Sequence, residues 1–326
     1  MLPSSSMKRW LGVLILCVAS LALARPNNRG EAAMVLDQFM QGVTNMNAAI
    51  NRVQFLGEER YVSGELIFAY RRNSNPKLRE QILEFLAALG VRDREVERVF
   101  LSALGSTELG EVMAGARGLG RIKSAEGVKP LVALLADPKL GPRREAARAL
   151  GLIGKPAAGG PLLKAAKTES DLDLKVMMIA AAGKSGDKKQ IPSLEALLKD
   201  ESESTRLASA QGLCFLGAPK CGQFAGKLLA STDKNERLQG VMLFEGATAK
   251  VSSPLLTPML KDTDDKVRAR AARLLVQGGD QKALEWLVIE SAKGKGEARL
   301  VYEDELERLH LTDEQRQAIL KKAGLQ

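Results

Sequence analysis

Between Asn75 and Lys293 the apolar and polar positions recur with a period close to 31 residues. Asp137, Glu169, Asp200 and Asp262 stand at steps of 32, 31 and twice 31, and six residues after them come Arg143, Lys175, Arg206 and Arg268; Ser231 and Arg237 fill the remaining step. Counting from each base, the third, fourth and seventh following positions are small or apolar, as in Ala146, Ala147 and Leu150 or Ala271, Ala272 and Leu275. Side chains at these spacings stack on one stripe of an α-helix. The eleventh position is Gly90, Gly154, Gly186, Gly217 or Gly279, where the helix is expected to end in a left-handed residue. A second stripe follows, in Leu131, Leu134 and Leu135, then Leu194, Leu197 and Leu198, then Leu256, Met259 and Leu260. Pro130, Pro161, Pro192 and Pro254 sit near its start, where a missing N–H does no harm. Each unit therefore reads as helix, glycine turn, helix, acidic turn.

One such hairpin cannot bury both stripes, so neighbours must stack. The expected fold is all-α, an α-solenoid of the armadillo/HEAT type with about seven to nine two-helix repeats. Residues 75–293 form the array. Residues 31–74 are expected to form N-terminal helices and a divergent capping repeat, with Val35, Phe39, Val43, Met46, Ile50 and Val53 on one long amphipathic helix. Residues 294–326 are expected to be C-terminal capping helices, opened by Gly294-Lys295-Gly296 and including a capping box at Thr312-Asp313-Glu314-Gln315. Gly120 is expected at the turn of the third unit, and glycine steps of 30 and 34 around that unit predict a kink or bulge. In the unit at 232–262, Thr248 replaces the turn glycine and Gly246 stands earlier.

The Asp-x5-Arg, Ala-Ala-x2-Leu-Gly form, as in Arg143 to Gly151, resembles HEAT repeats, most of all the short HEAT-like repeats of phycobilin lyases. The resemblance covers roughly two thirds of the chain and speaks to fold more than function. It implies that Asp137, Arg143, Glu169, Lys175, Asp200, Arg206, Arg237, Asp262 and Arg268 form a structural ladder tying one repeat to the next. On this reading each acid accepts amide hydrogen bonds of the following helix and pairs with the base six residues on.

Composition changes the picture in two ways. Aromatic residues make up only 4% of a chain that is 45% hydrophobic, so small side chains must carry much of the packing. The net charge is +9, with acids and bases interspersed along the repeats, which describes a solvated, ion-paired surface with a basic excess.

Residues 1–24 read as a secretory signal peptide, with Lys8 and Arg9 ahead of an apolar core and Ala22-Leu23-Ala24 before Arg25; residues 25–30 are a polar linker. Cys17 belongs to the apolar core of this leader. Its removal takes two of the 48 basic residues and none of the 39 acids, leaving +7. The expected location is the periplasm or the cell exterior, with no integral membrane span after cleavage. Export argues against nucleic acid as a partner and admits a disulfide between Cys214 and Cys221, which flank one turn; the alternative is two small buried packing residues.

Catalytic, metal and cofactor signals are absent from the sequence. The single histidine, His310, falls at a turn position, no Cys-x2-Cys or histidine pair offers metal ligands, and no Gly-rich loop precedes Lys-Ser/Thr. The reading is an exported scaffold for protein–protein interaction, not an enzyme. A concave face made by the second helices is expected to bind the partner, with Lys164, Lys199, Lys227 and Lys261 as candidate contacts. An accessory enzyme subunit and a basic module for an acidic envelope polymer or lipid headgroups are the rival readings.

Overall fold

The computed structural model describes residues 28–325. The expected leader at 1–24 and residues 25–27 of the expected linker lie outside them. Among the described residues the secondary structure is entirely helical, and the chain divides into two compact units at Val99/Phe100.

The first unit contains α1 (Arg29–Met40), α2 (Met46–Leu56), α3 (Glu59–Arg72) and α4 (Pro76–Leu89), followed by the start of α5 (Arg94–Ala103). The long N-terminal helix read from the sequence is in fact two. Gly42 takes φ 73°, and the Asn45 side chain accepts the Ala48 N–H at 2.9 Å, capping a new helix. Val43, expected on the buried stripe, is consequently 71% exposed in the connection. Leu36, Phe39, Ile50, Val53, Leu66 and Phe85 fill the core, with the Phe39 and Phe85 rings 4.8 Å apart.

The second unit continues with α6 (Leu109–Arg121), α7 (Val128–Leu134), α8 (Leu140–Ile153), α9 (Gly159–Thr168), α10 (Leu172–Lys184), α11 (Ile191–Leu197) and α12 (Glu203–Leu216). It is completed by α13 (Pro219–Leu229), α14 (Lys234–Met242), α15 (Ala249–Leu256), α16 (Asp265–Gln277), α17 (Gln281–Lys293), α18 (Glu297–Glu307) and α19 (Asp313–Lys322). First helices (α6, α8, α10, α12, α14, α16) alternate with second helices, and consecutive pairs stack as an α-solenoid. Gly154, Gly186, Gly217 and Gly279 all take left-handed φ between 65° and 95°, as does Gly246 at 82° in the unit without a glycine at position 248. In the third repeat the left-handed residue is Lys123, at φ 55°, and not Gly120. Gly120 serves packing instead: a Cβ there would come within 2.8 Å of the Ala149 Cα on α8. The last stripe is interrupted too, because Pro258 ends α15 and the 3-10 turn Pro258–Lys261 carries Met259 and Leu260. In the C-terminal segment Thr312 and Gln315 form the reciprocal capping box of α19.

Small residues hold the first helices together, backbone to backbone. A Cβ on Gly183 of α10 would lie 2.2 Å from the Gly212 Cα of α12, and one on Gly151 would lie 3.1 Å from the Ala181 Cβ. Among the described residues no glycine of the second helices approaches a neighbouring backbone in this way: a Cβ on Gly159 of α9 would meet only the Ser185 and Asp187 side chains, and Gly226 of α13 has nothing within 4 Å of its Cβ position. A stack packed closely along one row and loosely along the other has its short, inner edge on the close row. That row is the first helices, so the expectation that second helices make the concave face is corrected.

Candidate functional site

The joint between repeats begins with the turn acid. Asp137, Glu169, Asp200 and Asp262 each accept the backbone N–H two residues on, at 2.8, 3.0, 3.0 and 2.9 Å, and Ser231 accepts that of Asp233 at 3.0 Å. The residue whose amide is held is the N-cap of the next helix, so the acid sets the angle at which the chain enters it.

The base does not pair with the carboxylate six residues before it, as the ladder reading expected. Arg143 Nη1 donates to the Asp137 and Pro138 carbonyls at 3.0 and 3.1 Å, while Nε and Nη2 grip the Glu169 carboxylate at 2.8 and 3.1 Å. Arg237 repeats the arrangement, with Nη1 on the Ser231 and Thr232 carbonyls and the fork on Asp262 at 2.7 and 2.8 Å. The acid carboxylate already serves the next helix, and the guanidinium's rigid fork reaches across the joint to the following repeat. Glu169 and Asp262 are each only 4% exposed. Hydrogen bonds from Arg143 and Arg237 hold these carboxyls below the usual range, against the opposing pull of burial, and raise both guanidinium pKa values in turn.

The remaining joints vary this scheme. Lys175 replaces the fork with a point charge 3.7 Å from Asp200. Arg206 bonds the Asp200 and Glu201 carbonyls, both at 2.8 Å, but the next turn offers Ser231 and the fork meets no carboxylate among the described residues. Arg268 holds the Asp262 carbonyl and donates through Nε to the Tyr302 hydroxyl at 2.9 Å, which in turn donates to Asp265 at 2.8 Å. Burial is the main cause that pushes the Tyr302 phenol up to about 12, so it remains a neutral donor.

An ion cluster that the sequence reading missed ties the array to the C-terminal segment. Arg273, 3% exposed, donates to Glu305 at 2.5 Å and reaches Glu245 at 3.3 Å, while Arg270 stands 2.8 Å from the other Glu305 oxygen. Its only sequence signal is an arginine set between the stripe residues Ala272 and Leu275, paired with an acidic helix after Gly296.

Loose packing of the second helices leaves clefts at the joints. One of about 550 Å³ between α7 and α9 is lined by Arg143, Glu169, Thr168 and Lys164, and one of about 530 Å³ between α9 and α11 by Lys175, Asp200, Ile179 and Ala196. On the opposite, inner face, α10, α12 and α14 form a groove of about 450 Å³ lined by Val176, Met177, Leu207, Gln211, Gln239 and Met242. Met242 is exposed, and the buried Gln239 Oε1 there has no hydrogen-bond partner. The four candidate lysines lie elsewhere: Lys164 and Lys227 on second helices, Lys199 after α11 and Lys261 at the end of its 3-10 turn, all exposed. The structure brings none of them into the inner groove.

Cys214 and Cys221 are joined by a disulfide, both sulfurs buried, bridging the end of α12 to the start of α13. His310 occupies a left-handed turn at φ 52°. Among the described residues no group of three or more His, Cys, Asp or Glu could hold a metal ion, and no helix is long and apolar enough to cross a membrane.

Helix pairs stacked along a close inner row and pinned by base-to-acid joints define an α-solenoid. Residues 113–176 and 141–214 match the HEAT-repeat family. No curated protein matches the chain, whereas 29 chains of solved structures do. Among them is the complex of CpcE and CpcF of phycocyanin lyase from Nostoc sp. PCC7120, at 19% identity and a TM-score of 0.52. The match covers 68% of this chain and 91% of that one, and at this identity it speaks to the fold alone.

Proposed function

We propose that this protein is an exported HEAT-repeat scaffold, without catalytic activity of its own, that binds a protein partner along the inner face of α10, α12 and α14. The observation that carries the reading is the inner groove, where Met177, Leu207 and Met242 are set among Gln211 and Gln239, whose buried Oε1 has no hydrogen-bond partner. Such a surface is long, shallow and mixed apolar and polar, which suits a protein segment better than a small molecule. Export is supported by the leader at 1–24 and by the buried Cys214–Cys221 bridge, a bond that persists in oxidising compartments.

A photocrosslinking residue at Met242 in the native cell is expected to yield a discrete protein adduct, absent when the probe is at the exposed Lys188, away from both the groove and the Arg206 joint. Adducts of equal yield from both positions would sink the reading. N-terminal sequencing of the cellular protein is expected to begin at Arg25, and an intact leader would refute processing at that point.

A second reading, accessory subunit of an enzyme, is supported by the likeness to chains that assemble as the CpcE–CpcF complex. It predicts that the crosslinked adduct is itself a HEAT-type chain. The basic excess would support binding to an acidic envelope polymer, which predicts a steep loss of binding with salt.

A further inference from the structure

We propose that the Arg206 joint is a receptor for a carboxylate side chain of the protein partner, which supplies from outside the acid that the next repeat lacks. The inference rests on the protein-binding reading above and adds a specific contact to it.

The position of the guanidinium is set from one side. Nη1 of Arg206 bonds two carbonyls, those of Asp200 and Glu201, just as Arg143 bonds Asp137 and Pro138 and Arg237 bonds Ser231 and Thr232. In the two arginines so held that face a turn acid, Nε and Nη2 receive that acid's carboxylate in a two-point grip. At the Arg206 joint the repeat register puts Ser231 in the place of the turn acid, and its side chain is neutral, with an Oγ that accepts the Asp233 N–H. Among the described residues no carboxylate pairs with it, and the side chain is half-buried, neither sealed nor freely mobile.

A guanidinium already ordered by two carbonyl bonds loses little further freedom when it takes a planar anion, and two parallel N–H bonds favour a carboxylate. The loosely packed second helices give access, since the two preceding joints carry open clefts. Lys227 stands 31 residues after Ala196, which lines the second of those clefts, so the period sets a further cation at this joint. Lys227 is exposed and no ion pair engages it among the described residues. Two cations at a joint whose own acid is missing complement an acidic stretch of polypeptide.

The test uses the full mature chain and a fluorescent hexaglutamate peptide at low ionic strength, read by anisotropy. Ser231→Asp fills the fork from within; it is expected to raise the thermal midpoint and to weaken peptide binding about tenfold. Arg206→Gln is expected to weaken binding equally without the gain in midpoint, and Lys188→Gln, a charge removed elsewhere, to change it less than about twofold. Stabilisation by Ser231→Asp with unchanged peptide affinity would overturn the proposal, leaving Arg206 as an incomplete joint. So would a wild-type chain that does not bind the peptide, or a loss seen only with polygalacturonate, which would make the ligand a polysaccharide. If Met242 still crosslinks to its partner while both Arg206-joint variants bind the peptide like wild type, the docking reading stands and this site alone falls.

Discussion

The two helix rows of the second unit solve opposite problems. First helices meet through glycine and alanine, so close that Gly183 has no room for a methyl group against Gly212, whereas second helices stand apart and leave clefts of about 550 and 530 Å³. The close row dictates geometry through backbone contact and tolerates no added volume. The loose row is held at its joints by directed bonds from single side chains, so its residues are free to vary and its surface is open. A solenoid built this way has a rigid inner face that can present a groove and an outer edge where joints can be filled, weakened or left open.

One methyl group added to the close row is expected to do the most damage. Gly183→Ala places a Cβ 2.2 Å from the Gly212 Cα, a backbone atom that cannot rotate away, so α10 and α12 must separate. The expected cost is roughly 3 kcal/mol, at the upper end for overpacking. Urea denaturation followed by circular dichroism measures it, and a midpoint equal to wild type would mean that the two helices do not touch as described.

Next in size is the bridge that links the two rows at one turn. Cys214 and Cys221 enclose a short loop, with a sequence separation of 7, so replacing both with alanine is expected to destabilise by about 2 kcal/mol. Because both sulfurs are fully buried, reductant without denaturant is expected to act slowly on the native chain. Rapid reduction of the folded protein would show that this turn opens readily.

How far the sequence reached can be seen from these same residues. The period, the turn glycines and the capping box were legible because each follows from local chemistry: stripe spacing, left-handed backbone, a side chain three residues from its amide. The direction of pairing at the joints was not. In a periodic chain Arg143 has one acid six residues before it and another 26 residues after it, and only the carbonyls that hold Nη1 decide which carboxylate faces the fork. The inner row escaped for a related reason. Gly120, Gly183 and Gly212 look like turn or weak-helix residues until a neighbouring helix is set against them. Arg273 and Glu305 were hidden because they are 32 residues apart and one of them interrupts an apolar stripe.

Glu169→Gln tests the joint as a directed bond. It keeps the shape but removes the charge that Arg143 grips, with an expected cost of about 1 kcal/mol at neutral pH, since solvent reaches the edge of the pair. The pH dependence has a definite sign. The folded carboxyl titrates below the ordinary 4.5 because the Arg143 hydrogen bonds favour its anion, so its contribution is full above pH 4.5 and is lost as pH falls through the folded value. The gap in stability between wild type and Glu169→Gln should therefore close on acidification below 4.5, and a gap constant from pH 7 to pH 3 would show that charge has no part in the joint.

The smallest effect has the opposite sign and completes the contrast. Gly226→Ala makes the same chemical change as Gly183→Ala, also inside a helix, but on α13 in the loose row, where nothing lies within 4 Å of the added carbon. The folded state has no clash to relieve, while the unfolded chain loses some of the freedom that glycine gave it. Stability is therefore expected to rise by about 0.5 kcal/mol, measured by the same urea titration. If both alanines destabilised the chain, the two rows would be equally close, and the inner edge could not be assigned to the first helices.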